Sequence, residues 1–330
     1  MAGTGTKVII TAIVGNGFIT IIKFIGWFVS QSPSLLAEGI HSLADTLNQI
    51  LLFIGMKHSK GESNRDHPQG KGEAQYVWNL VSAVGIFFIG FGVTAYHGLH
   101  ALAVGHYEVG PISYIGIGVL IVAFIIEFYV YLQAYNEVNR LKGSRSYLQY
   151  LRENDDPTLL AVLLEDGVAV LGVVLALVGI LLGQYFQSAL FDIIASLAIA
   201  LLMGAMAIML SLINGKLLMG KSISIHKEED MKKYILNFDE VENVESISTQ
   251  ILGAGKVRLT LELELHGHTL IDTESLKTDA KKISDGDDAY KVLHKAAERM
   301  IRLTGEKVNE LEAKIQTEFP EVVMIDLEIH

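Results

Sequence analysis

The chain has 330 residues, half of them (50%) hydrophobic, with a mean hydropathy of +0.38. An ordinary soluble domain is less apolar than this, so part of the chain is expected in lipid. With no cysteine there are no disulfides and no thiolate metal sites, and a formal charge of −11 argues against binding nucleic acid.

An apolar run of about 20 residues is long enough to cross a bilayer. Six such runs are predicted, over 8–30, 34–56, 76–99, 111–134, 157–183 and 188–213. The hinge "SQSPS" separates the first two, Gly105 to Pro111 the third and fourth, and "GQYFQS" the last two. The first run is too long for a cleavable signal and has no small-residue cleavage site. Lys57, Lys60, Arg65 and Lys71 lie between spans two and three, and Arg140, Lys142, Arg145 and Arg152 between four and five. Lys7, Lys216 and Lys221 flank the bundle, and the three opposite loops carry no Lys or Arg. The positive-inside rule then puts both termini in the cytoplasm. The acidic tail and the lack of a presequence point to a multi-pass protein of a bacterial inner (plasma) membrane.

These runs predict a six-span transmembrane domain over 1–213 and a cytoplasmic α+β domain over 214–330. In the second, Lys227 to Phe238 has helical spacing, and "VESISTQIL" and "KVRLTLELEL" read as strands around the turn "GAG". "HTLIDTESLKTDAKKISDGDD" reads as a mobile loop or a helical extension. Ala289 to Thr317 is an amphipathic helix with Val292, Leu293, Ala296, Met300, Leu303, Val308, Leu311 and Ile315 on its apolar face, and "VVMIDLEI" is a last strand. The order αββαβ suits a small ferredoxin-like sheet with helices on one face.

A charged side chain at a bilayer centre costs about 2.5–3.5 kcal/mol on insertion, so such residues face a cavity, a partner or an ion. In span two, His41 and Asp45 stand one helical turn apart on one face, and Asn48 continues it. An imidazole and a carboxylate at that spacing make a two-ligand clip for a divalent cation such as Zn²⁺. In "LLEDGVAVLG" of span five, Glu165 and Asp166 project about 100° apart, so one of them is expected to face His41. A single intramembrane His is commonly a packing residue. His and acids in separate spans favour a cation pathway over polar glue. Glu127, deep in span four, has three open roles: fourth ligand, proton carrier, or partner of Lys23. Glu38 is expected at the rim, nearer the outer surface, and Asp192 is expected to be a helix N-terminal charge. "VGNGF", "GIFFIGFG" and "GIG" are expected to let helices approach closely.

"SLLAEGIHSLADTLNQ", "DHPQGKGEAQYVW" and "FDIIASLAIALLMG" resemble the second span, the following loop and the sixth span of the cation diffusion facilitators. The wording "HSLADTLNQ" is most similar to the branch that includes the mitochondrial zinc transporter. The resemblance covers nearly the whole chain and implies a homodimer that exports a divalent metal, typically Zn²⁺, against protons. It implies a tetrahedral site joining span two to span five, with His41, Asp45 and Asp166 matching family ligands. The sequence departs from the family at Val162, four residues before Asp166, where a His or Asp is expected. Glu165, Glu127, Asn48 or water must then supply the fourth ligand, and an oxygen-rich set widens selectivity toward Mn²⁺ or Fe²⁺. Lys71 replaces a His of the family's loop site beside Asp66 and His67, so that site is expected to be weak or absent. In the tail, His266, His268 and His330 are a poor match to the family's metal sites.

The resulting expectation is a proton-coupled antiporter whose substrate is a divalent metal ion, with no organic cofactor, no enzymatic step and no nucleotide site. The alternatives are a cation channel, or a non-transporting metal-sensing scaffold in which the span-five site is degenerate.

Overall fold

The computed structural model describes residues 2–61, 64–68, 70–105, 113–143, 146, 157–253 and 255–330. Residues 106–111 of the expected third connection, Arg145, Arg152 and Ala254 of the expected turn lie outside the described residues. The chain divides into two compact units, Met1–Met219 and Gly220–His330.

The first unit is a bundle of long helices: α1 (Ala2–Ser30), α2 (Pro33–Ser59), α3 (Ala74–Val104), α4 (Tyr114–Lys142), α5 (Pro157–Phe186) and α6 (Leu190–Leu218). Each coincides with one of the six expected spans, making this a multi-pass membrane fold. Five of the helices are long and apolar enough to cross a membrane on composition alone. The sixth, α2, is not among them, because its centre carries Glu38, His41, Asp45, Asn48 and Gln49. Packing resolves this: α2 touches α1, α3, α5 and α6, and its Glu38, His41 and Asn48 are buried. The polar face of α2 is therefore turned into protein, where lipid does not meet it.

Local chemistry explains the helix ends. Gln31 adopts a left-handed conformation (φ 54°) that closes α1, a common helix stop. Ser32 then caps α2 by accepting from Leu35 N, with Pro33 in the first turn. Gln187 (φ 51°) plays the same part between α5 and α6. In α3 a π-helical stretch, Ile86–Val93, interrupts the α-helix. Small residues permit close approach at some of the expected glycines and not at others. A Cβ on Gly116 would meet Ser30 and Leu35 at 3.2 and 3.3 Å, and one on Gly90 would overlap Met203. Gly15, Gly85 and Gly118 have open space, so close packing does not account for them.

The second unit begins with α7 (Ile225–Ile235) and continues through strands β1 (Val241–Gly253) and β2 (Lys256–Leu265). A 3₁₀ turn, Gly267–Leu270, leads into α8 (Thr273–Ser284), then α9 (Ala289–Glu318) and strand β3 (Val322–Ile329). The sheet order is β1-β2-β3, with β2 antiparallel to β1 and parallel to β3. Val257, Leu259, Leu261, Leu263 and Leu265 alternate onto the buried face of β2. The stretch expected as a loop or helical extension is thus helical, and the parallel β2–β3 pair needs this crossover. Of the apolar face expected for α9, Val292, Leu311 and Ile315 are buried, whereas Leu293 and Met300 are exposed.

Candidate cation site

His41 is 1% exposed. Its Nε2 lies 3.2 Å from Asp45 Oδ2, one helical turn away as the spacing predicts. The approach lacks hydrogen-bond geometry: both ring nitrogens of His41, Asp45 Oδ1 and Asp166 Oδ2 are buried without a hydrogen-bond partner. Buried polar atoms are nearly always satisfied, so these three ligand-type side chains carry unfilled bonding capacity, as do Gln49, Asn79 and Thr94 elsewhere in the bundle. One imidazole and two carboxylates fit a borderline divalent cation. Asp45, Glu165 and Asp166 lie within electrostatic reach of one another, and Glu127 reaches both Asp45 and Asp166. Among the described residues, no three His, Asp or Glu side chains converge closely enough to hold an ion together in this conformation.

The other expected ligands are held by protein partners. Asn48 donates to Glu165 Oε1 at 3.0 Å and accepts from Ser82 Oγ at 2.6 Å. Asn48 therefore positions Glu165, and Ser82 of α3 fixes Asn48. Asn48, Val162 and Glu165 line a small cavity of about 40 Å³ with Tyr76, Asn79 and Asn214. Val162, which stands where the family pattern places a ligand, thus lines a cavity with Asn48 and Glu165 and not with His41, Asp45 or Asp166. Of the three roles open for Glu127, the structure shows the pairing with Lys23, at 2.6 Å.

The rim assignment of Glu38 is corrected: its side chain is 0% exposed and bonds Lys23 Nζ at 2.7 Å. Its other oxygen packs against Gly172 of α5, where a Cβ would overlap it. Burial here is created by neighbouring helices, which a position along α2 does not reveal. Asp192 lies in the first turn of α6, as expected, and also accepts from Ser34 N at 3.2 Å and from the Ser34 hydroxyl. It thereby satisfies a buried N–H in the first turn of α2 that has no partner within its own helix. Ser82, Asn79 and Asn214 were not singled out by sequence, since an isolated Ser or Asn in a span carries little signal. In the loop after α2, the backbone N–H groups of Asp66 and His67 bond Asn64 Oδ1 at 3.0 and 2.8 Å, forming a turn. In the tail, His266 lies 3.5 Å from Glu242, and its ring lies 5.3 Å from that of His268, tilted by 39°.

The profile of the cation efflux transmembrane domain matches residues 9–219. A Xenopus laevis protein named proton-coupled zinc antiporter SLC30A9, mitochondrial, is 32% identical, the match covering 100% of this chain and 60% of that protein. Metal tolerance protein C4 of Arabidopsis thaliana is 27% identical over 98% of this chain and 73% of its own. The manganese efflux system protein MneP of Bacillus subtilis is 26% identical over 80% and 87%. The chain belongs to the cation efflux, or cation diffusion facilitator, family. It spans about three fifths of the length of its animal relatives.

Proposed function

We propose that this protein is a proton-coupled antiporter that moves a divalent cation, Zn²⁺ foremost with Mn²⁺ and Fe²⁺ as further substrates, out of the cytoplasm. The observation that carries this reading is the set of orphaned ligand atoms on His41, Asp45 and Asp166, buried in a membrane bundle. The names of the zinc and manganese relatives support the same substrate class. In this reading, closure of α2 on α5 brings Asp166 to the His41–Asp45 pair, and Glu165, held by Asn48, supplies the remaining oxygen. Ligands bind metal only when deprotonated, so loading releases protons and protonation from the far side ejects the ion. Rocking of the bundle then exchanges access. The membrane in this reading is a bacterial plasma membrane, with both termini and the tail on the cytoplasmic side, an orientation that the Lys and Arg bias of the loops supports. The working unit is a homodimer, as the family resemblance implies.

The test is reconstitution of the full chain in vesicles containing a pH dye, with Zn²⁺, Mn²⁺ or Fe²⁺ added separately. Metal-driven proton movement that disappears in Asp45→Ala and Asp166→Ala establishes the antiporter. Metal flux without proton movement identifies a channel, and neither flux identifies a scaffold.

A further inference from the structure

The transport reading leaves Lys23, Glu38 and Glu127 unused. They come from α1, α2 and α4, and Lys23 Nζ sits 2.7 Å from Glu38 Oε2 and 2.6 Å from Glu127 Oε1. Lys23 and Glu38 are fully buried. Each carboxylate keeps a second oxygen, Glu38 Oε1 and Glu127 Oε2, that is buried with no hydrogen-bond partner. Stability does not explain the arrangement, because an apolar replacement of a buried ion pair is often neutral or stabilising.

The geometry has a simpler description. Two carboxylates converge on a cation at distances only slightly longer than the roughly 2.3–2.6 Å of oxygen-ligated Ca²⁺, and that cation is the end of a lysine. We propose that Glu38 and Glu127 form a second divalent-cation site, one helical turn from His41, and that the Lys23 ammonium is its tethered competitor. The ligands on the page are carboxylate oxygens, so the site takes a hard cation such as Mn²⁺. Glu38 precedes His41 by three residues, about 4.5 Å along the helix, toward the start of α2. It also touches α5 at Gly172, six residues and about 9 Å beyond Asp166. An ion leaving His41 and Asp45 in that direction meets Glu38 and Glu127 next and must displace Lys23 to occupy them. Without an ion, the ammonium keeps these carboxylates filled and the four helices α1, α2, α4 and α5 tied at one level. The direction of travel rests on the transport reading, whereas the site itself does not.

Equilibrium dialysis of the purified full chain against Mn²⁺ alone tests this. Asp45→Ala removes the first site. Lys23→Met in the Asp45→Ala background is expected to bind one Mn²⁺ per chain that Asp45→Ala alone does not, and adding Glu127→Gln abolishes it. No gain in Mn²⁺ in a monodisperse, helical Lys23→Met/Asp45→Ala protein overturns the proposal. If Lys23→Met does not fold, Lys23→Ser, which leaves room for an ion and water, carries the same comparison. Folding of both variants only in the presence of Mn²⁺ supports the site, and failure of both with or without Mn²⁺ overturns it. Retention of wild-type metal by Asp45→Ala would refute the transport site while leaving the Lys23 comparison readable.

Discussion

Gly172→Ala separates packing at Glu38 from ordinary helix propensity. In an open helical position, alanine is favoured over glycine by about 0.8–1.0 kcal/mol. Gly118 of α4 is such a position, with nothing within 4 Å of an added Cβ, and Gly118→Ala should stabilise the protein. At Gly172 the added Cβ would overlap Glu38 Oε1, with Glu38 Cδ at 3.4 Å and Ile199 Cγ1 at 3.9 Å. Glu38 has little freedom to retreat, because Lys23 holds its other oxygen at 2.7 Å. Overpacking of this kind costs about 1–3 kcal/mol. If Glu38 is instead pushed off Lys23, breaking the buried pair costs about 3–5 kcal/mol. Either cost offsets the propensity gain, so Gly172→Ala is expected to destabilise where Gly118→Ala stabilises. A double-mutant cycle with Glu38→Ala isolates the term. Once the carboxylate is gone the clash is gone, and Gly172→Ala should become favourable. The coupling energy is then at least about 1 kcal/mol, above the roughly 0.3–0.5 kcal/mol expected of independent sites. Denaturant or thermal unfolding of the four detergent-solubilised proteins measures it. Additivity within that margin would refute the contact between Glu38 and α5.

Val162→His adds an imidazole one turn before Asp166, and vesicle transport assays should show selectivity moving toward Zn²⁺ over Mn²⁺. The change should be no smaller than the roughly 10–100-fold effect of outer-shell partners; unchanged selectivity would mean that this position does not reach the ion. Asp192→Ala orphans the Ser34 N–H and should cost about 1–2 kcal/mol, read as faster hydrogen exchange confined to the first turn of α2. In the tail, burial pushes the Glu240 carboxyl up, but its own backbone N–H, Lys307 and Lys314 outweigh this and hold it below its usual value of 4.5. A lowered folded value gives stability that is present above about pH 4.5 and is lost as pH falls through the folded value. The stability difference between wild type and Glu240→Gln, about 1 kcal/mol for a partly exposed pair, should therefore be seen at neutral pH and vanish in acid.

The sequence alone determined the features that depend on local repetition. Six apolar runs gave six long helices, because backbone groups in lipid must bond within their own segment. Alternation gave β2, and the 3.6-residue period put His41 and Asp45 on one face of α2. The polar face of α2 lowered its hydropathy without removing it from the bundle, since neighbouring helices cover that face. Partnerships between distant residues were decided only by the tertiary structure. Glu38 bonds a lysine 15 residues away, and that lysine bonds Glu127, 104 residues further along the chain. Asp192 bonds Ser34 across 158 residues. A residue's place along its helix specifies depth and face, whereas burial and pairing depend on which helices pack there. That is why Glu38 reads as a rim residue in sequence and is buried against α1 and α5 in the fold. It is also why Leu293 and Met300 match the apolar period of α9 yet remain exposed, while Val292, Leu311 and Ile315 of the same face are buried.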